Sequence, residues 1–353
     1  MAKSTWKKQN AENTILSLCG VAINGLSVSR DLLPKACWES APEFLRAFPQ
    51  GAYTTMRTTQ DRHCVIALDR HLSRLASSLQ ALREHQQVEF VDSQDFNTVS
   101  SLKEPVILTV REAISSLERQ LLSHGKEEIV QNYVVSIVVL VPLKGRQVVA
   151  RAAAVQGSVS HQPQLLQSVF YSRQCPLAKD SLWVRHRSQL YTCNQKPAKE
   201  LLLLSEDNTC LEGSTSNFFV VYRQGYVKTA ASRVLVGIAS QFVEEACRQL
   251  SISLVYEAPN LQDIQDWTEV FITNCVKIVQ PVQSIYLPPC FAQQRVLDFA
   301  VEHYQYTWKI REKVLELMSH ETCDVYSDAD TFQRKHRQWN QWLQLQSSQV
   351  AND

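Results

Sequence analysis

Four residues of chemically useful types are spread along the sequence, and each has a commoner structural role. Lys179 precedes an aspartate and would ordinarily be a surface lysine, while Glu212 lies beside a glycine, where a carboxylate most often caps a turn. Arg74 lies in a helical pattern, where arginine is usually solvated or ion-paired, and Gly237 precedes another helical pattern as a turn residue would. A helix N-terminus can also bind an anion. Residue type alone indicates no function here, so a function has to be inferred from the order of the four residues and the sequence around them.

Hydrophobic spacing predicts the elements that would position these residues. Strand patterns at 51–58 and 64–68, with a turn between them, form a predicted hairpin that leads into an amphipathic helix at 69–82. The β-branched run 132–141 is the strongest strand signal, and the pattern breaks around 172–180. Further helices are predicted at 105–123 and 238–250, and further strands at 147–154, 166–171, 200–204, 209–211, 217–222 and 269–273. These patterns predict a mixed α/β chain.

One stretch in the second half resembles a family signature. The run Glu212–Phe219, which reads Glu-Gly-Ser-Thr-Ser-Asn-Phe-Phe after an apolar strand and a turn, resembles the signature of the class IV aminotransferases. That family has fold-type IV and depends on pyridoxal 5′-phosphate (PLP). His71–Leu75 is similar to its motif His-x-x-Arg-Leu, Leu235–Ile238 resembles its Leu-Pro-Gly-Ile turn, and 269–282 resembles its late strand and loop. The resemblance covers about residues 50–285.

The family requires one lysine for the internal aldimine, upstream of the signature glutamate and at the crossing between domains. Lys179 precedes Glu212 by 33 residues, a spacing that fits the family without a gap. Other lysines lie too close to the following strand or too far upstream, namely Lys196, Lys199 and Lys144. An alternative alignment on Arg185 would leave the chain without this lysine.

The resemblance implies a role for each matched residue. Lys179 would be catalytic, forming the Schiff base and moving the proton, which requires a neutral amine of lowered pKa. Glu212 would keep the pyridine nitrogen protonated, and Arg74 would bind the phosphate with its guanidinium. Tyr53 matches an aromatic residue of the first strand and would line the substrate pocket or belong to the core. The other cofactor-binding positions that the resemblance implies are Ser216, Asn217, Gly237, Ile238, Ala239, Asn274 and Cys275, with Thr273 in the same loop.

Several positions depart from the family pattern. Asp180–Trp183 stands where Asn or Tyr is common, and Val236 replaces the proline of the turn. Ala239 and Cys275 replace residues with hydroxyl groups. Losing two hydroxyl contacts to the phosphate would cost about 1 kcal/mol each, which weakens cofactor binding without abolishing it. These departures bear on the substrate more than on the fold.

Composition excludes several classes of protein. The chain has 353 residues, of which 44% are hydrophobic and 20% charged, and this is ordinary globular composition. A formal net charge of +1 does not predict binding to nucleic acid or to an anionic membrane surface. No apolar run is long enough to span a membrane. The ten cysteines form no Cys-x-x-Cys pair and no zinc-like spacing, so no metal is expected. We expect a cytoplasmic protein. Location in an organelle is the alternative, because the first eleven residues carry three lysines and no acidic residue.

Together these observations predict a two-domain α+β enzyme of fold-type IV, like the D-amino acid aminotransferases, with PLP in the cleft between the domains. The expected divisions are an N-terminal segment at 1–45, a small domain at 46–172, a large domain at 173–295 and a helical tail at 296–353. We expect a homodimer that transfers an amino group between an amino acid and a 2-oxo acid. An aminodeoxychorismate lyase-type PLP enzyme and a non-catalytic protein of this fold are the alternatives.

Overall fold

The computed structural model of this chain describes residues 18–86, 98–126, 130, 132–140, 147–155, 162–192, 198–291 and 296–326. Within these ranges, helices flank two large β-sheets and a two-stranded one, which is the mixed architecture that the sequence predicts. The strands are β1 (Cys19–Ile23), β2 (Leu26–Ser27), β3 (Gly51–Arg57), β4 (Cys64–Ile66), β5 (Asn132–Leu140), β6 (Val148–Val155), β7 (Gln164–Phe170), β8 (Glu200–Leu204), β9 (Cys210–Gly213), β10 (Asn217–Tyr222), β11 (Val227–Thr229), β12 (Leu254–Tyr256), β13 (Trp267–Asn274), β14 (Ile278–Tyr286), β15 (Val296–Asp298) and β16 (Thr322–Asp324). The α-helices are α1 (Ala36–Glu39), α2 (Ala41–Ala47), α3 (Leu68–Gln86), α4 (Val99–Ser123), α5 (Leu182–Thr192), α6 (Ile238–Gln249) and α7 (Tyr306–His320).

The first sheet has the strand order β2-β1-β6-β5-β3, and each neighbouring pair is antiparallel. Its strands are apolar and rich in β-branched residues, as in the β5 run Asn-Tyr-Val-Val-Ser-Ile-Val-Val-Leu. Helix α4 packs against this sheet, and its buried residues recur every three or four positions, as Val106, Val110, Ile114 and Leu117 do. Gly20 allows β1 to approach α4 closely, because a Cβ there would lie 2.0 Å from the carbonyl oxygen of Ala113.

The first half of the chain differs from the sequence-based expectation in two places. Residues 1–45 show no periodicity, yet β1 and β2 form within them, and β1 lies inside the sheet. The strands predicted as a hairpin do not pair along their length. Strand β3 pairs with β5, and a single bridge joins Thr58 to Val65. The apolar run of β5 offers β3 a longer and more deeply buried partner than the short β4 does.

The second sheet has the order β12-β11-β10-β13-β14-β7-β8-β9, with β15 beside β14. Strand β9 also pairs with β10, through Glu212 and Asn217, so the strands from β10 through β13, β14, β7 and β8 to β9 form a closed ring. Apolar side chains such as Phe218 and Ile272 fill the core beside it. Closure of the ring therefore holds Glu212 and Asn217, both in the family-like signature, opposite each other.

The connection between the two large sheets carries Lys179. Strand β7 pairs with β14 and β8, so it belongs to the second sheet although it precedes the domain boundary expected after residue 172. The chain then returns to the first sheet, where the amide of Tyr53 donates to the carbonyl of Lys179 over 2.9 Å and that of Ser181 donates to Gly51 over 2.9 Å. These backbone hydrogen bonds fix Lys179 at the edge of β3, between the two sheets.

Within the described residues, the C-terminal part contains one α-helix, a short 3-10 helix at Val301–His303 and short strands. Glu269 caps α7 from a distance, because its carboxylate accepts hydrogen bonds from the amides of Gln305, Tyr306 and Thr307 at 2.6, 3.0 and 2.7 Å. Strand β16 follows and pairs with β4, so the expected helical tail turns back as a strand onto the first half of the chain. Residues 327–353 of the expected tail, and the first seventeen residues, lie outside the described ranges.

Across the part of the chain that the structure describes, no helix has both the length and the apolar character needed to cross a membrane.

Candidate active site

A cavity of about 560 Å³ lies between the two large sheets, and it collects the residues that the family signature indicates. Helices α3 and α6, strands β3, β9 and β10, and the loop between β13 and β14 contribute to its lining. Ala239 is the predicted site residue that does not line the cavity, since it is buried one position further into α6. The predicted residues that do line it are Tyr53, Arg74, Lys179, Glu212, Ser216, Asn217, Gly237, Ile238, Asn274 and Cys275.

Lys179 is held through its backbone on both sides. Its amide donates to the hydroxyl of Ser78 over 3.0 Å, and its carbonyl accepts from Tyr53. The amine Nζ lies 4.8 Å from the centre of the Tyr53 ring. Desolvation by the surrounding protein lowers the pKa of Lys179, and the positive charge of Arg74 acts in the same direction, while Tyr53 opposes it. The site therefore makes the neutral amine easier to form than it is in water, and this is the form that can act as a nucleophile or a base.

Glu212 is buried in an ion pair with Arg173, a residue that the sequence patterns did not single out. Arg173 Nη1 lies 3.0 Å from Glu212 Oε1, and the two side chains are 7% and 5% exposed. The second oxygen, Oε2, accepts from the amide of Leu235 at 3.0 Å. Burial raises the pKa of Glu212, and the charge of Arg173 opposes that rise. Each carboxylate oxygen can accept a further hydrogen bond, so the group can still receive a donor from the cavity.

Arg173 also holds the segment that leads to Lys179. Its guanidinium donates to the carbonyl oxygens of Pro176, at 3.3 Å, and Ala178, and it lies 5.3 Å from the ring centre of Trp183. One guanidinium thus links the glutamate to the lysine-bearing loop. The signal in the sequence is weak, because an arginine six residues before Lys179 has no motif around it.

Arg74 reaches the cavity from α3 with a partly unsatisfied guanidinium. Its Nη2 donates to the hydroxyl of Thr54 over 2.6 Å, and the same hydroxyl lies 2.6 Å from Nδ1 of His71. Among the described residues the buried Nε of Arg74 has no hydrogen-bond partner, and neither has the hydroxyl of Thr273 across the cavity. Burial of the ring, together with the charges of Arg74 and Lys179, lowers the pKa of His71 well below its usual value, so this imidazole is neutral.

Gly237 is the N-cap residue of α6 at the cavity wall, and the helix start has no side-chain cap and no acidic residue in its first turn. A Cβ at position 237 would lie 2.0 Å from Oδ1 of Asn217, so space alone requires glycine here. Asn217 in turn donates through Nδ2 to the carbonyl of Leu235 at 2.6 Å. A candidate anion-binding site is therefore formed by the helix N-terminus, Arg74 and Thr273.

Three of the predicted ligand-binding side chains are engaged with the protein itself. Ser216 donates to Glu200 Oε1 over 3.2 Å, and Asn217 binds the carbonyl of Leu235. Asn274 Oδ1 accepts from the amides of Val276, at 3.0 Å, and of Lys277, at 2.8 Å. These side chains shape the loops around the cavity.

The sequence patterns did not indicate two further residues of the cavity. Arg187 and Trp183 lie one turn apart on α5 and both line the cavity. Arg187 lies close enough to Tyr53 for its positive charge to act on the phenol. Burial alone would raise the pKa of Tyr53, but the charges of Lys179, Arg187 and Arg173 outweigh it and lower the pKa to about 8.

Comparisons with known proteins agree with this arrangement. Residues 180–285 match the family described as amino-transferase class IV. A probable branched-chain-amino-acid aminotransferase of Rickettsia conorii is 30% identical over 120 residues, which make up 32% of this chain and 41% of that protein. The match thus spans about two-fifths of the curated relative's length.

Two solved structures share the fold over most of this chain. The branched-chain aminotransferase of Thermoproteus uzoniensis with norvaline has a TM-score of 0.61 at 17% identity, over 87% of this chain and 99% of that one. The T.th. branched-chain amino acid aminotransferase complexed with N-(5′-phosphopyridoxyl)-L-glutamate has a TM-score of 0.62 at 18% identity, with coverage of 87% and 99%. The expected fold-type IV is confirmed: the chain has the fold of the branched-chain aminotransferases, and its residues 180–285 match the class IV aminotransferase family.

Proposed function

We propose that this protein binds PLP and is a class IV aminotransferase, which transfers an amino group between an amino acid and a 2-oxo acid. The observation that carries the proposal is the cavity in which the Lys179 amine, of lowered pKa, shares one space with the Arg74 guanidinium and the Glu212 carboxylate. The family match over 180–285 and the phosphopyridoxyl-glutamate complex of the T.th. enzyme support it.

The described residues fit such a cofactor. The unpartnered Nε of Arg74 and hydroxyl of Thr273 are buried donors without an acceptor, and a phosphate would satisfy both. The uncapped start of α6 at Gly237 adds amide donors and a favourable dipole. Glu212 offers a carboxylate to the pyridine nitrogen. Ala239 and Cys275 lack the hydroxyl groups common in the family, so Thr273 and backbone amides carry more of the phosphate binding.

When bound, PLP would supply an electron sink for carbanion chemistry. The protein's own part in the reaction falls to three groups. Nζ of Lys179 takes a proton from the substrate carbon and returns one, and its lowered pKa makes the neutral, proton-accepting form easier to reach. Glu212 holds the ring nitrogen in its protonated form, while Arg173 keeps that carboxylate ionised and in place. Arg74 and the α6 N-terminus fix the phosphate, so the reacting atoms stay next to Lys179.

Covalent labelling tests the proposal directly. Purified protein is loaded with PLP, reduced with borohydride and digested, and the pyridoxyl group is located by peptide mass mapping. We expect the label on Lys179, loss of the label in Lys179→Ala, and normal labelling in Lys277→Ala. Lys277 lines the same cavity and is therefore the matched control. A protein that stays unlabelled, or that carries the label on Lys277, would overturn the proposal.

Product analysis separates the reactions that the resemblance leaves open. Amino transfer to a 2-oxo acid indicates the aminotransferase, release of pyruvate from aminodeoxychorismate indicates the lyase, and neither product from a labelled protein indicates a non-catalytic one. No contact among the described residues favours the lyase. The homodimer and the cytoplasmic location stay predictions, and sedimentation of the pure protein and cell fractionation test them.

A further inference from the structure

The loop between β13 and β14 contains a strained residue. Ile278 has a φ of 64°, in the left-handed region that a β-branched side chain rarely adopts. Such a conformation costs free energy and persists only where the surrounding contacts fix it, which is often at a functional site. Residues 274–279 form this strained turn, whose first part lines the cavity directly after Thr273 of the candidate anion-binding site. The contacts that hold the strained turn therefore bear on that site.

Carbonyl oxygens of the strained turn accept hydrogen bonds from two buried guanidinium groups. Arg57 of β3 donates through Nη1 to the carbonyl of Val276 over 2.7 Å. Arg311 of α7 donates through Nη1 to the carbonyl of Val279 and, over 3.5 Å, to that of Lys277. The two arginines are 6% and 2% exposed. Arg311 thus contacts the chain on both sides of the residue with positive φ.

The direction of these carbonyl groups matters for anion binding. A backbone segment binds an anion through its amide groups, whereas a carbonyl oxygen carries partial negative charge and repels the anion. Arg311 lies behind the strained turn, outside the set of described residues that line the cavity. Its hydrogen bonds therefore keep the carbonyl oxygens of Lys277 and Val279 on the side of the turn that faces α7, away from a bound anion.

Helix α7 is also tied to the other end of the β13–β14 hairpin, which fixes the position of Arg311. The carboxylate of Glu269, in β13, accepts from amides at the start of α7. Just before α7, the hydroxyl of Tyr304 accepts from the amide of Val270 at 3.0 Å and donates to the carbonyl of Val282 at 2.9 Å. Ile310 of α7 packs with the apolar face of α6, whose N-terminus belongs to the candidate anion-binding site. Both backbone walls of that site therefore rest against α7.

We propose that Arg311 is a positioning residue, which holds the strained turn in the conformation that the candidate anion-binding site requires. The inference rests on the proposed function, because the anion in question is the phosphate group of PLP. Arg311 does not touch the cofactor and acts through the backbone of the turn. Without its guanidinium, Ile278 would relax toward a negative φ, and the amide and carbonyl groups around it would change direction.

A comparison of PLP with pyridoxal, which lacks the phosphate, tests the proposal without turnover. Absorbance titration gives the dissociation constant of each, and the ratio of pyridoxal to PLP is the phosphate advantage. General destabilisation weakens both ligands alike, whereas a misplaced anion site lowers the ratio. Arg311→Met removes the donors and keeps an unbranched side chain, and we expect the phosphate advantage to fall by about fivefold or more. Arg311→Lys, with one donor group and the same charge, should retain part of it.

Arg111→Met is the matched control. The guanidinium of Arg111 also donates to the backbone carbonyl of a distant segment, that of Val325 at 2.6 Å, but it lies in α4, away from the cavity. Arg111→Met should lose stability toward urea and keep the phosphate advantage of the normal protein. Hydrogen exchange of the PLP-free proteins adds a measurement that needs no cofactor: amides in the peptide 272–279 should exchange faster in Arg311→Met and at the normal rate in Arg111→Met.

An unchanged phosphate advantage in Arg311→Met would overturn the proposal, and so would unchanged exchange in the peptide 272–279. Borohydride labelling of Lys179 is measured on the same samples. A normal protein without this label would overturn the proposed function, and the missing label distinguishes that failure from a failure of Arg311 alone. Should Arg311→Met fail to fold, Arg311→Lys decides, because a single ammonium group cannot replace the planar guanidinium at both carbonyl oxygens. Its phosphate advantage must then lie below that of the normal protein, and an equal value is the contrary result.

Discussion

Arg173 joins Glu212 at 3.0 Å, and the same guanidinium binds carbonyl oxygens in the loop that ends at Lys179. The two groups to which we assign the ring nitrogen and the proton transfer therefore share one buried arginine. Movement of Arg173 would disturb both at once. A buried pair of this kind is costly to form, so its value lies more in fixed geometry than in net stability.

Replacing Arg173 should damage both stability and cofactor binding. Arg173→Gln leaves the Glu212 carboxylate buried without a counter-charge, which costs about 3–5 kcal/mol in the free energy of unfolding. The pKa of Glu212 then rises further, so its protonated form becomes more abundant and holds the ring nitrogen less well. Urea unfolding of the PLP-free protein and a PLP titration measure the two effects.

Arg248→Gln is the control for this prediction, because Arg248 forms an exposed pair with Glu245 one helical turn away. It should leave both stability and PLP affinity nearly unchanged. Arg173→Lys should recover part of the PLP affinity. If Arg173→Gln lowered stability yet bound PLP normally, the arginine would be a structural residue alone.

Removing the Lys179 amine should stabilise the PLP-free protein. The pKa of this lysine is lowered in the folded state, so its charged form is less favourable there than in the unfolded chain. At neutral pH, where the unfolded lysine is fully protonated, this difference lowers the free energy of unfolding. Lys179→Met removes the penalty, and the advantage should shrink as the pH rises toward the unfolded value of about 10.4. Urea unfolding at several pH values measures it. Lys35→Met, at a side chain 91% exposed, should show no such pH dependence; an equal gain there would contradict the explanation.

The sequence predicts those parts of the site that are local in the chain. Glu212 and Asn217 are five positions apart, on two neighbouring strands joined by a short turn, and they pair directly with each other. Their spacing is therefore visible as a motif. The helix that carries Arg74 and the one that begins at Ile238 are amphipathic, and the period of their hydrophobic residues predicts both.

Residues whose role comes from distant contacts could not be predicted. Arg173 is 39 positions from Glu212, and nothing local distinguishes it from a solvated arginine. Arg187 meets Tyr53 only because β3 and α5 come together in the fold. Strand β1 has five residues, too few for a period to emerge, and its place inside the sheet depends on β6. Long-range pairing also overrode the expected hairpin between β3 and β4.

Tyr53 should give the PLP-free protein a distinctive pH dependence. Its pKa is lowered to about 8 when folded, while an unfolded tyrosine titrates near 10. The unfolded chain therefore binds more protons between these values, so stability should rise with pH across the window, by about 2–3 kcal/mol at most. Tyr53→Phe removes this contribution. Comparing the two proteins in urea at about pH 7.5 and about pH 10, near the ends of that window, measures this contribution together with its coupling to Lys179. Parallel curves would show that Tyr53 titrates normally.

Thr54 should control PLP affinity without contacting the cofactor. Its hydroxyl accepts from Arg74 and bonds to His71, each at 2.6 Å, and Thr54→Val removes both bonds while keeping the shape of the side chain. Arg74 is then free to turn away from the phosphate position, and a PLP titration should show affinity lower by about tenfold. Thr109→Val is a close match, since Thr109 is equally buried and also makes two hydrogen bonds, to Pro105 and Gly25, but lies in α4 away from the cavity. Both variants should lose similar stability toward urea, and only Thr54→Val should lose PLP affinity. Equal PLP binding in the two variants would show that Arg74 keeps its position without the Thr54 hydroxyl.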